Sequence, residues 1–244
     1  MTVRRALRVA WAAVSALVVE SGLLAVAATP PVLLVRWLAA STAGAARPFV
    51  VLLAFGPAYV IFAVLFMVLS ALAMRIAGWR TPADATLRIA DLDWPLLDWA
   101  RYLASAHVVR VIAGALRATP IWTMYLRLNG ARIGRGVYVN SLHVMDHNLL
   151  ELGDAVVIGD AAHMSGHTVE DGFVKTGRVC LGRNVTIGVG SVIAIDVIVG
   201  AHTQVGALSL VPKHSRLTER AVYAGIPVRR LDRAGDHRLS VSAS

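Results

Sequence analysis

Apolar residues are arranged in two ways along this chain of 244 residues. Before about residue 80 they run together; after about residue 130 they recur at a fixed interval. The first run, "LRVAWAAVSALVVESGLLAVAA", covers Leu7 to Ala28, 22 residues with Arg8 at its start and Glu20 as its one interior charge. The second, "FVVLLAFGPAYVIFAVLFMVLSALAM", covers Phe49 to Met74, 26 residues with no charge. About 20 apolar residues cross a bilayer core, so the pattern predicts two transmembrane helices, about 7–28 and 49–74, within a membrane anchor over 1–80. Between them "TPPVLLVRWLAASTAGAARP" reads as a short turn with a weak apolar stretch. Gly56-Pro57 is a kink that membrane helices tolerate. A cleaved signal peptide is the alternative for the first run, with Arg4, Arg5 and Arg8 as its basic start and "AVAA" at its end. The length of the run, and the second span directly after it, favour an anchor.

Residues 81–131 form a helical connector. Asp93 is an N-cap candidate and Pro95 suits a first turn, which predicts a helix from about Trp94 to Leu116. Its Trp94, Trp99 and Tyr102, with Arg101, Arg110 and Arg117, fit either the headgroup layer of a membrane or a helix capping the next domain. A second short helix, Pro120 to Leu128, leads into Gly130.

From Ile133 the period is six. The units are "IGRGVY", "VNSLHV", "LGDAVV", "IGDAAH", "MSGHTV", "LGRNVT", "IGVGSV", "IAIDVI", "VGAHTQ" and "VGALSL". Position one is always aliphatic or Met, position two is Gly in seven of the ten, and position five is small or β-branched in nine. This period suits neither an amphipathic helix nor simple sheet alternation. It matches a parallel β-helix, in which three units make one triangular coil and the position-one residue points inward. The glycines are expected to turn the corners. The domain should run over 132–231, followed by a polar, disordered tail over 232–244.

The register breaks twice. "MDHNLLE" puts seven residues between Val144 and Leu152, and "EDGFVKTGRVC" puts eleven between Val169 and Leu181. An insertion in a solenoid leaves the coil as a loop, and such loops gather on a binding face.

Composition adjusts this picture in three respects. The net charge of +9 comes from 22 Arg and two Lys against 15 acids, and no basic run occurs, which argues against nucleic acid and for an anionic membrane surface. Arg4, Arg5 and Arg8 precede the first span and Arg75, Arg80 and Arg88 follow the second. That places both termini, and the β-helix, in the cytoplasm of a multi-pass protein of the cell membrane. The single Cys180 excludes an intrachain disulfide framework and reads as a packed side chain.

Candidate chemistry collects at the register breaks: Asp146 and His147 in the first, and His167, Glu170, Asp171 and Lys175 at the second. His143, His163, His202 and His214 read as ordinary loop side chains. His143, His147, His163 and His167 also suggest a zinc site, but the pairs occupy different slots of their units and should point apart.

These units, with the closing "SLVPKHSRLTERAVYAGIPVRRL", resemble the hexapeptide-repeat acyltransferases of the left-handed β-helix class. The lead-in "TPIWTMYLRLNGARIG" and "HTVEDGFVKTGRVCLG", after paired spans, further resemble the membrane-tethered carboxy-terminal units of synthetases of the polylysine-synthetase type, themselves non-ribosomal peptide synthetases. The resemblance implies a left-handed helix and transfer of an acyl or aminoacyl group to an amine or hydroxyl. The donor would be a coenzyme A or carrier-protein thioester used as co-substrate, with no tightly bound cofactor and no metal. It implies His167 as general base, oriented by Asp146 or Glu170, a choice the sequence leaves open. Lys175, Arg183, Arg229 and Arg230 become contacts for the donor's phosphates. It implies a homotrimer with sites between subunits. The rival readings are a non-catalytic membrane-tethered scaffold and a zinc lyase of the γ-carbonic-anhydrase type.

Overall fold

The computed structural model describes residues 2–231, so the expected tail lies outside the described residues. Two long helices come first, α1 (Val3–Ser41) and α2 (Arg47–Ala77). A short turn over 42–46 folds them back on each other. Only 11% and 22% of their most apolar stretches are buried, so packing within the chain does not consume their apolar surface. Leu7, Trp11, Leu17, Leu52, Leu53 and Phe55 all face outward.

One expectation needs correction here. The turn does not begin at Thr29: α1 continues through Pro30 and Pro31 for another ten residues, to Ser41. The two prolines are adjacent, so their missing donors fall in a single turn. Helical structure resumes through "VLLVRWLAA", whose Leu, Ala and Arg residues favour a helix once the two prolines are passed.

Gly78 ends α2 in the left-handed conformation, and the chain turns towards α3 (Trp94–Ala113), which starts at the predicted cap and ends in a 3-10 turn, Gly114–Leu116. Its aromatic and basic side chains do not all lie in a headgroup layer. Tyr102 and Arg101 are buried, Arg101 pairing with Asp98 at 2.8 Å and lying under the rings of Trp79 and Trp94. A helix wedged between α1, α2 and the coils buries these residues, and Arg101 is tolerated inside because it is paired and stacked. Next comes α4 (Pro120–Leu128), which lays Trp122, Tyr125 and Leu126 on the first coil.

From Arg132 the chain winds as a parallel β-helix with three sheet faces. Nine of the ten position-one residues are buried, Ile133 at the open end being half-buried. Strand register records the repeat directly. Ile187 pairs Val205 and Leu181 pairs Val199, 18 positions on, which is three units. Val139 pairs Ile158, 19 on, across the first break, and Ile158 pairs Ile187, 29 on, across the second.

The glycines meet the expectation only in part. At the corners the left-handed residues, the fourth of each unit, are Gly136 and Gly190 but also Ala155, Ala161, Asn184, Asp196, His202 and Leu208. The second-position glycines have ordinary dihedrals and serve close approach instead. A Cβ on Gly188 would lie 2.4 Å from the backbone nitrogen of Ala207 in the next coil, so stacking leaves no room for a side chain.

The eleven-residue break leaves the coil as a hairpin, His167–Glu170 against Phe173–Thr176. Its outer strand is joined antiparallel by Thr86–Arg88 from the segment after α2. The loop is therefore tied to the exit of the long helices.

Candidate active site

His167 is the first residue of the hairpin, where the chain leaves the coil after Ser165-Gly166. Asp146 stands in the first break with left-handed dihedrals (φ 54°), which Asp tolerates, and is fully buried. The coils stack these breaks side by side, as the pairing of Val144 with Met164 records. His167 Nδ1 donates to Asp146 Oδ2 at 2.6 Å, and the ring remains 14% exposed. With its proton on Nδ1, the ring keeps the Nε2 lone pair free, and no group among the described residues bonds Nε2.

The carboxylate is held from all sides. Thr81 Oγ donates to Oδ1 at 2.6 Å; the Gly166 N–H donates to Oδ2 at 2.9 Å, and Ser165 Oγ lies 3.2 Å from it. Burial alone would raise the Asp146 carboxyl, but the hydrogen bonds from His167, Thr81 and Ser165 outweigh it and keep its pKa below the ordinary carboxylate value. Gly166 is needed for this approach, since a Cβ there would sit 2.9 Å from Asp146 Cβ and from Leu149 Cδ1. Trp99 of α3 presents its indole edge-on to the His167 ring, centroids 5.0 Å apart.

Of the two acids considered as orienting group, the structure brings only Asp146 to His167. Glu170 points away and accepts from Lys175 at 2.7 Å and Lys213 at 2.6 Å, the only two lysines in the chain. Those two ammonium groups lower its pKa to about 2. Strand alternation puts His167 and Glu170 on opposite faces, which is why proximity in sequence misleads. Lys175 is thereby partly neutralised. Arg183 lies at the corner after Val179–Leu181, whereas Arg229 and Arg230 lie on the last strand, Arg229–Leu231; all three are exposed, and no hydrogen bond or ion pair links them to His167. His147 is buried beneath the site between Tyr102 and Tyr125, its Nε2 donating to the Val144 carbonyl at 3.1 Å, and burial lowers its pKa to about 4. Among the described residues of the chain, no three His, Cys, Asp or Glu side chains converge as metal ligands.

Thr81, Trp99, Ser165 and Gly166 are site residues that the sequence pattern did not single out. The serine and glycine adjoin His167 in sequence, but Thr81 and Trp99 come from the connector, and nothing in their local sequence marks them.

No family model matches the chain. Over 166 residues it is 25% identical to the delta-poly-L-ornithine synthetase of Acinetobacter baumannii, covering 66% of this chain and 12% of that protein. Over 105 residues it is 34% identical to the galactoside O-acetyltransferase of Escherichia coli, covering 40% of this chain and 51% of that one. The chain is thus similar in sequence to an acetyltransferase and to part of a synthetase. Gamma carbonic anhydrase 1 of Arabidopsis thaliana mitochondria is 30% identical over 158 residues, 60% of this chain and 53% of that one. A hexapeptide-repeat-containing acetyltransferase from Vibrio cholerae superposes with a TM-score of 0.39 at 23% identity, over 43% of this chain and 62% of that one. This hexapeptide chain thus spans about half the length of the two shorter curated relatives and a small part of the synthetase.

Proposed function

We propose that this protein is a membrane-anchored acyltransferase that moves an acyl or aminoacyl group from a coenzyme A or carrier-protein thioester to an amine or hydroxyl. The observation that carries the reading is the Asp146–His167 pair at the point where the coil releases its hairpin. The acceptor nitrogen or oxygen attacks the thioester carbonyl carbon and passes its proton to Nε2 of His167. The carbon–sulfur bond then breaks, and the departing sulfur takes up that proton as a thiol. Asp146 fixes the tautomer and stabilises the imidazolium formed in between. Trp99 holds the ring plane. Phosphate contacts from Lys175, Arg183, Arg229 and Arg230 stay part of the proposal, with Lys175 the weakest because Glu170 already engages it.

The two long helices support an anchor, since their apolar faces are left uncovered. Arg5 and Arg8 reach Asp91 and Asp93 at 3.5 and 3.6 Å, which supports a cytoplasmic placement of the amino terminus together with the β-helix. A trimer, with loop residues of one subunit meeting the coil of the next, completes the reading.

The test is single-turnover release of thiol from a panel of acyl-coenzyme A donors with amine and hydroxyl acceptors. His167→Ala should lower the rate by about 10²–10⁴-fold and Asp146→Asn by about 10²-fold or more, with assembly unchanged. Unchanged rates in both variants would favour the scaffold. About one zinc per purified chain would favour the lyase, a reading for which the carbonic anhydrase similarity speaks.

A further inference from the structure

A concavity that does not include His167 lies at the end of α2. It encloses about 740 Å³ between the α2 exit, the start of α3, the end of α4 and the lower coils. Arg75, Arg80 and Arg178 line it, and all three are exposed. Arg178 is committed to Glu151 at 3.0 Å. Arg75 and Arg80 have no acidic partner among the described residues. The one carboxylate on the wall, Asp98, is held by Arg101 at 2.8 Å. Asn129 and Asn148 also line it, beside the rings of Trp79 and Tyr102, their amide nitrogens donating to the Tyr125 carbonyl at 3.0 Å and the Thr81 carbonyl at 2.8 Å.

Position decides what such a cleft would meet. The uncharged run of α2 ends at Met74, one residue before Arg75, and Arg80 follows the Gly78 turn. Guanidinium groups at the end of a span lie at headgroup depth, where anionic lipid concentrates them, and their planar fork suits phosphate. A concave wall with two uncompensated cations differs from a plain basic rim, because a phosphate entering it meets guanidinium groups from both sides of the Gly78 turn.

We infer that this cleft binds the phosphate-bearing headgroup of an anionic phospholipid, with Arg75 and Arg80 as its cationic contacts. The inference rests on reading α2 as a membrane span. Its back wall, Thr81 and Asn148, is the segment that holds Asp146, so the lipid would sit behind the candidate catalytic pair without touching it.

The test uses the full chain purified in neutral detergent. Native mass spectrometry would count retained lipid after mixing with phosphatidylglycerol or phosphatidylcholine. Phosphatidylglycerol should be retained about tenfold better, and Arg75→Gln with Arg80→Gln should abolish that preference. Equal retention of both lipids, or a preference that survives in the double variant, would overturn the inference. Loss of bound phosphatidylglycerol on adding inorganic phosphate or coenzyme A at equal concentration would assign the cleft to a soluble phosphate and overturn the lipid. Alkaline extraction of native membranes separates the premises: a chain that washes off refutes the span reading, whereas a chain that stays without preferring phosphatidylglycerol refutes only the lipid site.

Discussion

Asp146 concentrates the energetic demands of the site. A fully buried carboxylate is tolerable only with its lone pairs occupied, and four donors from two separate segments, Thr81 and residues 165–167, surround this one. Thr81 makes the shortest bond apart from that of His167 and comes from the far end of the connector. Replacing Thr81 by Val keeps the shape and removes the donor, at a cost of about 1–3 kcal/mol, while Thr81→Ser should restore it. Chemical denaturation measures the stability. The pH–rate profile of thiol release should shift in Thr81→Val and return in Thr81→Ser, because a less stabilised Asp146 carboxylate holds the His167 proton differently.

His147, next to it, carries a separate prediction. The unfolded chain protonates this imidazole near 6.5, the folded chain only near 4, because burial disfavours the cation. Between those values the unfolded state binds the extra proton. Stability is therefore fully present above pH 6.5 and declines as pH falls towards 4, by roughly 3 kcal/mol in total. Urea titrations at stepped pH should show this slope, and His147→Phe should flatten it.

At the scale of elements, the coil and the hairpin answer to different rules. Coil strands are two or three residues long and hold together through stacked position-one side chains, as in the column Ile158, Ile187, Val205. Ile187 has a neighbour above and below, so its cavity cannot close easily. Ile187→Ala should cost about 2–5 kcal/mol, read as a lower denaturation midpoint with unchanged slope. The hairpin has no such core. It gains order by pairing with Thr86–Arg88 and by the bonds of Thr176 Oγ with the Pro82 carbonyl, 2.7 Å, and the Ala85 N–H, 2.9 Å.

At the scale of the molecule, the long helices are structural parts of the β-helix unit. Phe66, Met67 and Ala71 of α2 pack in one cluster with Val109, Trp122 and Tyr125, which continues into the coil core. A chain shortened to residues 78–244 would expose that face of α3 and α4. It should aggregate or lose helical circular dichroism beyond the share of the deleted residues, and lose the protection of Thr81 and His147 amides in hydrogen exchange. A shortened chain that remains monodisperse with full activity would show that the anchor only tethers.

The sequence alone determined what is local or periodic. Six-residue repetition specifies parallel coils because each unit carries its own inward residue, and break lengths of seven and eleven reappear as register steps of 19 and 29. The start of α3 was legible from Asp93 and Pro95, since a cap is written in adjacent residues. His167, Asp146 and Glu170 were visible as candidates, but which acid meets the imidazole was not. That depends on which face a strand residue takes and on coils stacking residues 21 positions apart, so tertiary structure alone chose Asp146 and sent Glu170 to the lysines. The same holds for Thr81 and Trp99, which reach the site only because α3 and the α2 exit fold onto the coils. The role of glycine was likewise decided largely by packing: most corners use other residues, Gly136 and Gly190 excepted, and the second-position glycines stand where the next coil leaves no space for a side chain.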